Sequence, residues 1–336
     1  MTVNTDKENL YAKYKLQEKF AQFIDVKKDK SYKSIYNDAA RVETKDKNLL
    51  FASALFTEYI DFDLAYFPLQ HLGYKVIAAT MTDILSMNGT PTQVRINMAL
   101  SNRFSEEMVD KLMNGMMVCC SKHKIDIAGL DFKTSATGLM IAVSMIGEVS
   151  QNQEIFRNGA KENELICVTG DLGSAYTGLI LLERENKVFQ ADPSQQPDFI
   201  GVDYLLERYL KPEPPVLALH AIPIQPTTMI NLKEGLATGL IHICNASKLG
   251  CTIFEEKLPI DILTFEKLKE LGIVATTIAL NGGEDYELLF TIKQEDYEKI
   301  KTCKEVSVIG YMTSESSGKH IITNDNRQFE LKAQGF

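Results

Sequence analysis

The chain has little of what membranes, nucleic acids or oxidising compartments require. Positive charge is in the minority: 36 Lys and Arg against 45 Asp and Glu leave a net charge of −9 over 336 residues. An acidic chain is a poor non-specific partner for nucleic acid or an anionic membrane surface. It still admits phosphate ligands, which need only a local site or bound cations. No apolar stretch approaches the roughly 20 residues that span a bilayer; Leu139 to Ile146 is among the longest. Met1 to Lys15 is polar and charged and shows no secretory pattern. No C-x-x-C pair occurs. The six cysteines, Cys119, Cys120, Cys167, Cys244, Cys251 and Cys303, sit mostly inside apolar runs. They read as buried free thiols of a reducing, cytoplasmic protein, neither disulfides nor a zinc site. Tandem repeats of solenoid period and heptads are also missing.

What is present is an ordinary globular pattern, 45% apolar, in a chain too long for one typical core. The first half alternates strands and helices. Strands are expected from Leu49, over Gln93 to Leu100, Ile125 to Leu130 and Leu139 to Ile146. Leu69 to Met87 reads as a helix stopped by Gly89 and Pro91. Ser105-Glu106-Glu107 opens another, with acids where the helix dipole favours them. The polar stretch Asp131 to Gly138 reads as a short presenting turn. The second half places strands at Glu164 to Thr169, Cys251 to Phe254, Leu288 to Ile292 and Val306 to Tyr311. Its helices are expected over Ala175 to Glu183, Lys233 to Ser247, Thr264 to Leu271 and Gln294 to Lys301, with a mobile polar loop from Gln190 to Pro197. The class is α/β or α+β with mixed sheets, in two domains, residues 1–155 and 156–336.

The stretch Asn281-Gly282-Gly283-Glu284-Asp285-Tyr286-Glu287 is the most informative. Two glycines bend the backbone where a side chain would clash, and three carboxylates follow before a strand. Such a turn suits polar, charged or metal-bound ligands, and equally a solvated turn. Asp83 stands mid-helix on an otherwise apolar element, where an aspartate is costly unless it pairs or binds metal. Asn37-Asp38-Ala39-Ala40 can place a carboxylate beside a ligand or cap a helix. Asp131 follows Gly129-Leu130 at an expected strand end. Arg157 to Lys161, leading to Gly170-Asp171-Leu172-Gly173-Ser174, can cradle an anion at a helix start or be two plain turns.

In order and spacing these segments resemble the thiamine-monophosphate kinase family, within the superfamily of aminoimidazole ribonucleotide synthetase. Asn37-Asp38-Ala39-Ala40 resembles that family's Gly-Asp-Asp-Ala-Ala. Glu58-Tyr59-Ile60-Asp61-Phe62 resembles Glu-Gly-Val-His-Phe. Thr82-Asp83-Ile84-Leu85-Ser86-Met87 resembles Ser-Asp-Ile-Ala-Ala-Met, and Gly129-Leu130-Asp131 stands for Gly-Gly-Asp. Arg157 to Lys161 is similar to Arg-x-Gly-Ala-Lys, Gly170 to Ser174 to Gly-x-Leu-Gly-x-Ser, and Gly282 to Phe290 to the C-terminal signature.

The resemblance implies a two-domain fold whose N-terminal sheets pair into a homodimer. It also implies transfer of the γ-phosphoryl of ATP to thiamine monophosphate across Mg²⁺ ions held by aspartates, whose charge cancels the repulsion of two phosphates. Asp38, Asp83, Asp131 and Glu234 are then the expected metal ligands, with Arg157 and Asn231 also at the nucleotide. Asp131, Lys233 and Glu234 are the expected catalytic positions. Glu58, Asp61, Glu284, Asp285 and Tyr286 are expected on the acceptor side. The chain departs from the pattern at Asn37, Ala54, Asp61, Asn231, Lys233 and Glu234. Two expected carboxylates, at 54 and 231, are lost and an ammonium enters at 233. These departures imply weak Mg²⁺ affinity and low or absent turnover, and keep a non-catalytic nucleotide- or phosphate-binding paralogue as the alternative. A superfamily enzyme with another substrate is a third reading. No cysteine precedes Cys119 and Ala333 to Phe336 contains none, unlike selenophosphate-type and hydrogenase-maturation members.

Overall fold

A computed structural model describes residues 38–333 and the backbone of residues 31 and 32. The expectation attached to Asn37 lies outside the described residues. Two sheets organise the chain. The first uses β1 (Ser31–Tyr32), β2 (Ala40–Val42), β3 (Lys47–Thr57), β4 (Thr90–Leu100), β5 (Asp126–Thr134) and β6 (Met140–Ser150), in the order β1-β2-β3-β6-β4-β5. In β3 every second residue is apolar, so Leu50, Ala52, Ala54 and Phe56 are buried while Phe51 and Leu55 face outward. Helices α1 (Leu69–Leu85) and α2 (Glu106–His123) cover the inner face. They approach closely because glycines meet there: a Cβ on Gly115 would lie 1.9 Å from the Gln70 carbonyl oxygen. The Ser105 hydroxyl accepts from the Met108 N–H at 3.3 Å, capping α2 as expected.

The second sheet uses β7 (Leu165–Thr169), β8 (Thr228–Asn231), β9 (Leu249–Phe254), β10 (Leu288–Ile292), β11 (Val306–Ser314), β12 (Lys319–Ile322) and β13 (Gln328–Glu330). Their order is β13-β12-β9-β11-β7-β10-β8, antiparallel except for β9 and β12. Both β8 and β10 are buried along their whole length, which explains their apolar and threonine runs, broken only by Asn231 at the end of β8. Around the sheet lie α3 (Ser174–Ala191), α4 (Asp203–Leu210), α5 (Val216–Ala221), α6 (Leu236–Ser247), α7 (Ile262–Glu270), α8 (Ala275–Asn281) and the short α9 (Tyr297–Ile300). One hydrophobic core runs from Leu50 and Met145 on the first sheet and Ile77 on α1 to Cys167, Met229 and Phe290 on the second. A second core, around Ile166, Leu240, Ile253 and Leu289, fills the other face of the second sheet.

Several expectations are corrected. Strand β5 continues to Thr134, so Asp131 lies inside an edge strand and not at its end. The polar residues after Leu130 extend the strand because that edge is open to water on both faces. Asp83 lies in the last turn of α1, not mid-helix. Helix α3 absorbs Gln190, the expected start of a mobile loop. Helix α6 starts at Leu236, not Lys233, because Gly235 sits at φ 99°, outside helical space. The short elements α4, α5, α8, β12 and β13 carried too little periodicity to be read.

Candidate functional site

The end of β8 meets the last turn of α1, and most of the expected polar residues converge there. Asp83 stands near the C-terminus of α1, where the helix dipole opposes a negative charge. Its carboxylate Oδ1 accepts from the Asn231 side-chain amide at 3.0 Å, and the same amide donates to the Thr82 hydroxyl at 2.7 Å. Burial pushes the Asp83 pKa up to about 7, against the Lys233 ammonium, and nearby Asp38 pushes the same way. Asp38, just before β2, is held on both oxygens. Arg157 donates to Oδ1, while the Ser86 hydroxyl at 2.7 Å and the Asn231 backbone N–H at 3.3 Å donate to Oδ2. Burial works against the Lys233 ammonium, but Asp83, Glu234, Glu284 and Asp61 outweigh it and hold its pKa above the ordinary value. That ammonium also lies 5.9 Å from the centroid of the Phe56 ring. His242, on α6, is held neutral by burial and by Arg157, its pKa lowered to about 4.

The Gly-Gly-acid turn packs against this centre by its backbone. The Glu284 N–H donates to the Lys233 carbonyl at 2.9 Å, the Tyr286 N–H to the Leu232 carbonyl at 3.0 Å, and the Leu232 N–H to the Glu287 carbonyl at 2.8 Å. A Cβ on Gly283 would come within 2.7 Å of the Lys233 carbonyl, so only glycine permits this approach. Glu284 at φ 65° and Tyr286 at φ 54° are both left-handed, which costs about 1–3 kcal/mol per residue and is typical of functional turns.

Alternation sends the three acids of this turn to different places. Glu284 pairs with the buried Lys75 ammonium at 2.7 Å and accepts from the Tyr286 hydroxyl at 3.1 Å. Lys75 also donates to the Tyr209 carbonyl at 2.9 Å and lies 3.7 Å from the Tyr209 ring centroid. Burial lowers the Lys75 pKa and Glu284 opposes it. Asp285 is withdrawn from the centre: it accepts from the Gly173 N–H at 3.0 Å and the Ala175 N–H at 3.4 Å at the start of α3. Burial pushes its pKa up to about 7, opposed by Arg208. Glu287 accepts from the Thr169 hydroxyl at 2.6 Å and pairs with Arg208 at 3.1 Å.

Three more expected residues stand apart. Glu58 is buried and clamps the turn before β6, accepting from the Leu139 N–H at 2.8 Å and from Arg103. Asp61 is exposed and accepts from the Thr57 N–H at 2.7 Å, with Lys233 and Lys75 within electrostatic reach. Asp131 pairs in register with Asn97, whose neighbours Ile96 and Met98 are buried under the helices. It therefore faces the outer side of the first sheet, away from Asp83. Lys75, Tyr209 and Arg208 escaped the reading of the sequence, and Thr82 and Ser86 entered it only as members of the motif around Asp83. A lysine within the apolar run of α1 was the one available signal, and it pointed to Lys75.

The donor set decides how well a magnesium ion fits here. Mg²⁺ demands oxygen ligands in near-octahedral order. At this centre the carboxylates of Asp38 and Asp83 already face protein donors: a guanidinium, a hydroxyl, a backbone N–H and an amide NH₂. One acceptor, Asn231 Oδ1, is buried without a hydrogen-bond partner. Among the described residues no three His, Cys, Asp or Glu side chains come together as a metal site. The residues do not fit a resident divalent ion.

Comparison with known proteins agrees with this architecture. The AIR synthase related protein, N-terminal domain family matches residues 36–149. The thiamine-monophosphate kinase of Bacillus subtilis (strain 168) is 30% identical over 285 residues, covering 83% of this chain and 84% of that protein. The thiamine-monophosphate kinase of Buchnera aphidicola subsp. Acyrthosiphon pisum is 28% identical over 334 residues, covering 97% and 98%. A solved structure of AaThiL complexed with AMPPCP and TMP superposes with a TM-score of 0.81 at 23% identity, covering 98% of each chain. That superposition carries the two-sheet fold, and the near-complete alignment to the kinases carries the lineage: the chain belongs to the thiamine-monophosphate kinase family.

Proposed function

We propose that the chain binds ATP and thiamine monophosphate at the junction of its two sheets and transfers the γ-phosphoryl group, with low turnover. The observation that carries this reading is the alignment to the Bacillus subtilis thiamine-monophosphate kinase over 84% of that protein. Transfer breaks the bond from the γ-phosphorus to the bridging oxygen and forms one to a phosphate oxygen of the acceptor, giving ADP and thiamine diphosphate. No protein nucleophile is needed, so positioning and charge do most of the work. Arg157 and Lys233 supply fixed positive charge toward the phosphates. Glu284 and the exposed Asp61 give the acceptor side a polar, acidic lining suited to the cationic thiazolium ring, with Tyr286 buried behind Glu284. The functional unit on this reading is a cytoplasmic homodimer joined through the outer face of the first sheet.

Asn231 favours a second reading, a paralogue that binds nucleotide without transferring phosphate, because its amide donates where the family pattern has a carboxylate. A coupled ADP-release assay with ATP, Mg²⁺ and a panel of phosphorylated acceptors separates the two. Slow ADP release dependent on thiamine monophosphate is expected. Nucleotide binding without ADP release would establish the paralogue, and absence of nucleotide binding would remove both.

A further inference from the structure

We propose that Lys75 is a positioning residue for the phosphate acceptor: it ties one oxygen of the Glu284 carboxylate and so aims the other at the acceptor's cationic ring. This deepens the proposed function and rests on it for the identity of the acceptor.

The geometry starts from a buried ammonium. Lys75 stands in the apolar run of α1 and is only 3% exposed, a place that costs free energy unless the charge is met. It is met from several directions. The ammonium lies 2.7 Å from Glu284 Oε2 and donates to the Tyr209 carbonyl at 2.9 Å. It also lies 3.7 Å from the Tyr209 ring centroid and 5.3 Å from that of Phe67. The same Oε2 accepts from the Tyr286 hydroxyl at 3.1 Å. Glu284 Oε1 takes no hydrogen bond or ion pair from the described residues, on a side chain that is 29% exposed. The backbone beneath this carboxylate is fixed. The Glu284 N–H donates to the Lys233 carbonyl at 2.9 Å, and Gly283 approaches that carbonyl closely. Only the side-chain torsions of Glu284 are left to set, and Lys75 and Tyr286 set them.

Position matters because the Lys75–Glu284 pair is neutral as a whole. Its pull on a cation is short-ranged and depends on which oxygen faces that cation. With Lys75 on Oε2, the oxygen left to a ligand is Oε1. The rest of α1 places the phosphate end. Thr82 follows Lys75 by about two helical turns and so shares its face, and the Thr82 hydroxyl accepts the Asn231 amide beside Asp83. Two turns rise roughly 10 Å. One face of α1 thus meets both Glu284 and the polar centre, a gap that a phosphate linked to a ring can bridge. Lys75 touches no reacting group on this arrangement and acts through Glu284.

The test is a cycle of wild type, Lys75→Met, Glu284→Gln and the double variant, each assayed by coupled ADP release at varied thiamine monophosphate and at varied ATP. With slow turnover, KM reports binding. Each single change is expected to raise the KM for thiamine monophosphate about tenfold and to leave the KM for ATP within about twofold. The double variant should match Glu284→Gln alone, because Lys75 then has nothing to aim. Single effects that multiply in the double variant overturn the proposal. A Lys75→Met protein that melts at lower temperature with both KM values unchanged, or with both raised alike, overturns it too. If Lys75→Met fails to fold by circular dichroism, the double variant, which removes both charges together, is compared with Glu284→Gln. Tyr286→Phe, which cuts the other tie on Oε2, should then raise the KM for thiamine monophosphate several-fold, and an unchanged value overturns the proposal. Where wild type releases no ADP, calorimetric titration of the same proteins with thiamine monophosphate is read by the same criteria. Wild type that neither releases ADP nor binds thiamine monophosphate strikes the proposed function and this inference with it.

Discussion

Asp285 shows how little an acidic run says about where each carboxylate goes. Its neighbour Glu284 meets Lys75 at 2.7 Å, while Asp285 turns to the N–H groups that open α3. Buried there, its pKa rises from 3.8 to about 7. An acid whose folded pKa exceeds its unfolded value binds its proton more tightly in the folded state. The stability it contributes is therefore full below pH 3.8 and is lost as pH rises through about 7. Asp285→Asn keeps an oxygen that can accept from Gly173 and removes this titration. The melting temperature of the variant should then fall less than that of wild type between about pH 4 and pH 8. Identical profiles would show that Asp285 is ionised throughout. Asp83 and Glu287, also raised by burial, add to the slope in the same direction.

At the scale of elements, the α1–α2 pair is the most constrained contact in the N-terminal half. Gly73 and Gly115 let each helix backbone touch the other: added Cβ atoms would lie 2.0 Å from the Leu112 oxygen and 1.9 Å from the Gln70 oxygen. Both obstacles are backbone, which cannot step aside. Gly115→Ala should therefore destabilise by about 1–3 kcal/mol through overpacking, despite alanine's better helix propensity. A denaturant midpoint equal to or above that of wild type would mean the helices separate freely. Because α1 carries Thr82 and Asp83 and is capped by Ser86, a shift of this helix would also loosen the hydrogen bonds to Asn231 and Asp38. Helix packing and site geometry are coupled through this one element.

At the scale of the molecule, the outer face of the first sheet is unfinished. Phe51 is 46% exposed and Leu55 61% exposed on β3, on the side away from α1 and α2. Apolar side chains facing water on one sheet face favour association. A homodimer through this face is expected in light scattering at micromolar concentration. Leu55→Arg combined with Phe51→Glu should yield a monomer that keeps its circular dichroism spectrum. A wild-type monomer would leave that face without a role. Asp131 and Asn97 share this outer face.

The sequence by itself determined the two-part division into mixed sheets, the family, and the segments that matter, because period-two and period-3.6 apolar patterns and glycine-bounded motifs are local properties. Asp38, Asp83, Arg157, Asn231 and Lys233 were all legible as a set, and the structure brings them to one place. What only the tertiary structure decided is where neighbouring side chains point and what they meet. Glu284, Asp285 and Glu287 lie within four residues, yet one faces Lys75, one caps α3 and one pairs with Arg208. Lys75 and Tyr209 are 134 residues apart and share one hydrogen bond. Asp131, which shares the family pattern with Asp83, faces the other side of its sheet, because strand register and not motif spacing sets the direction of a side chain.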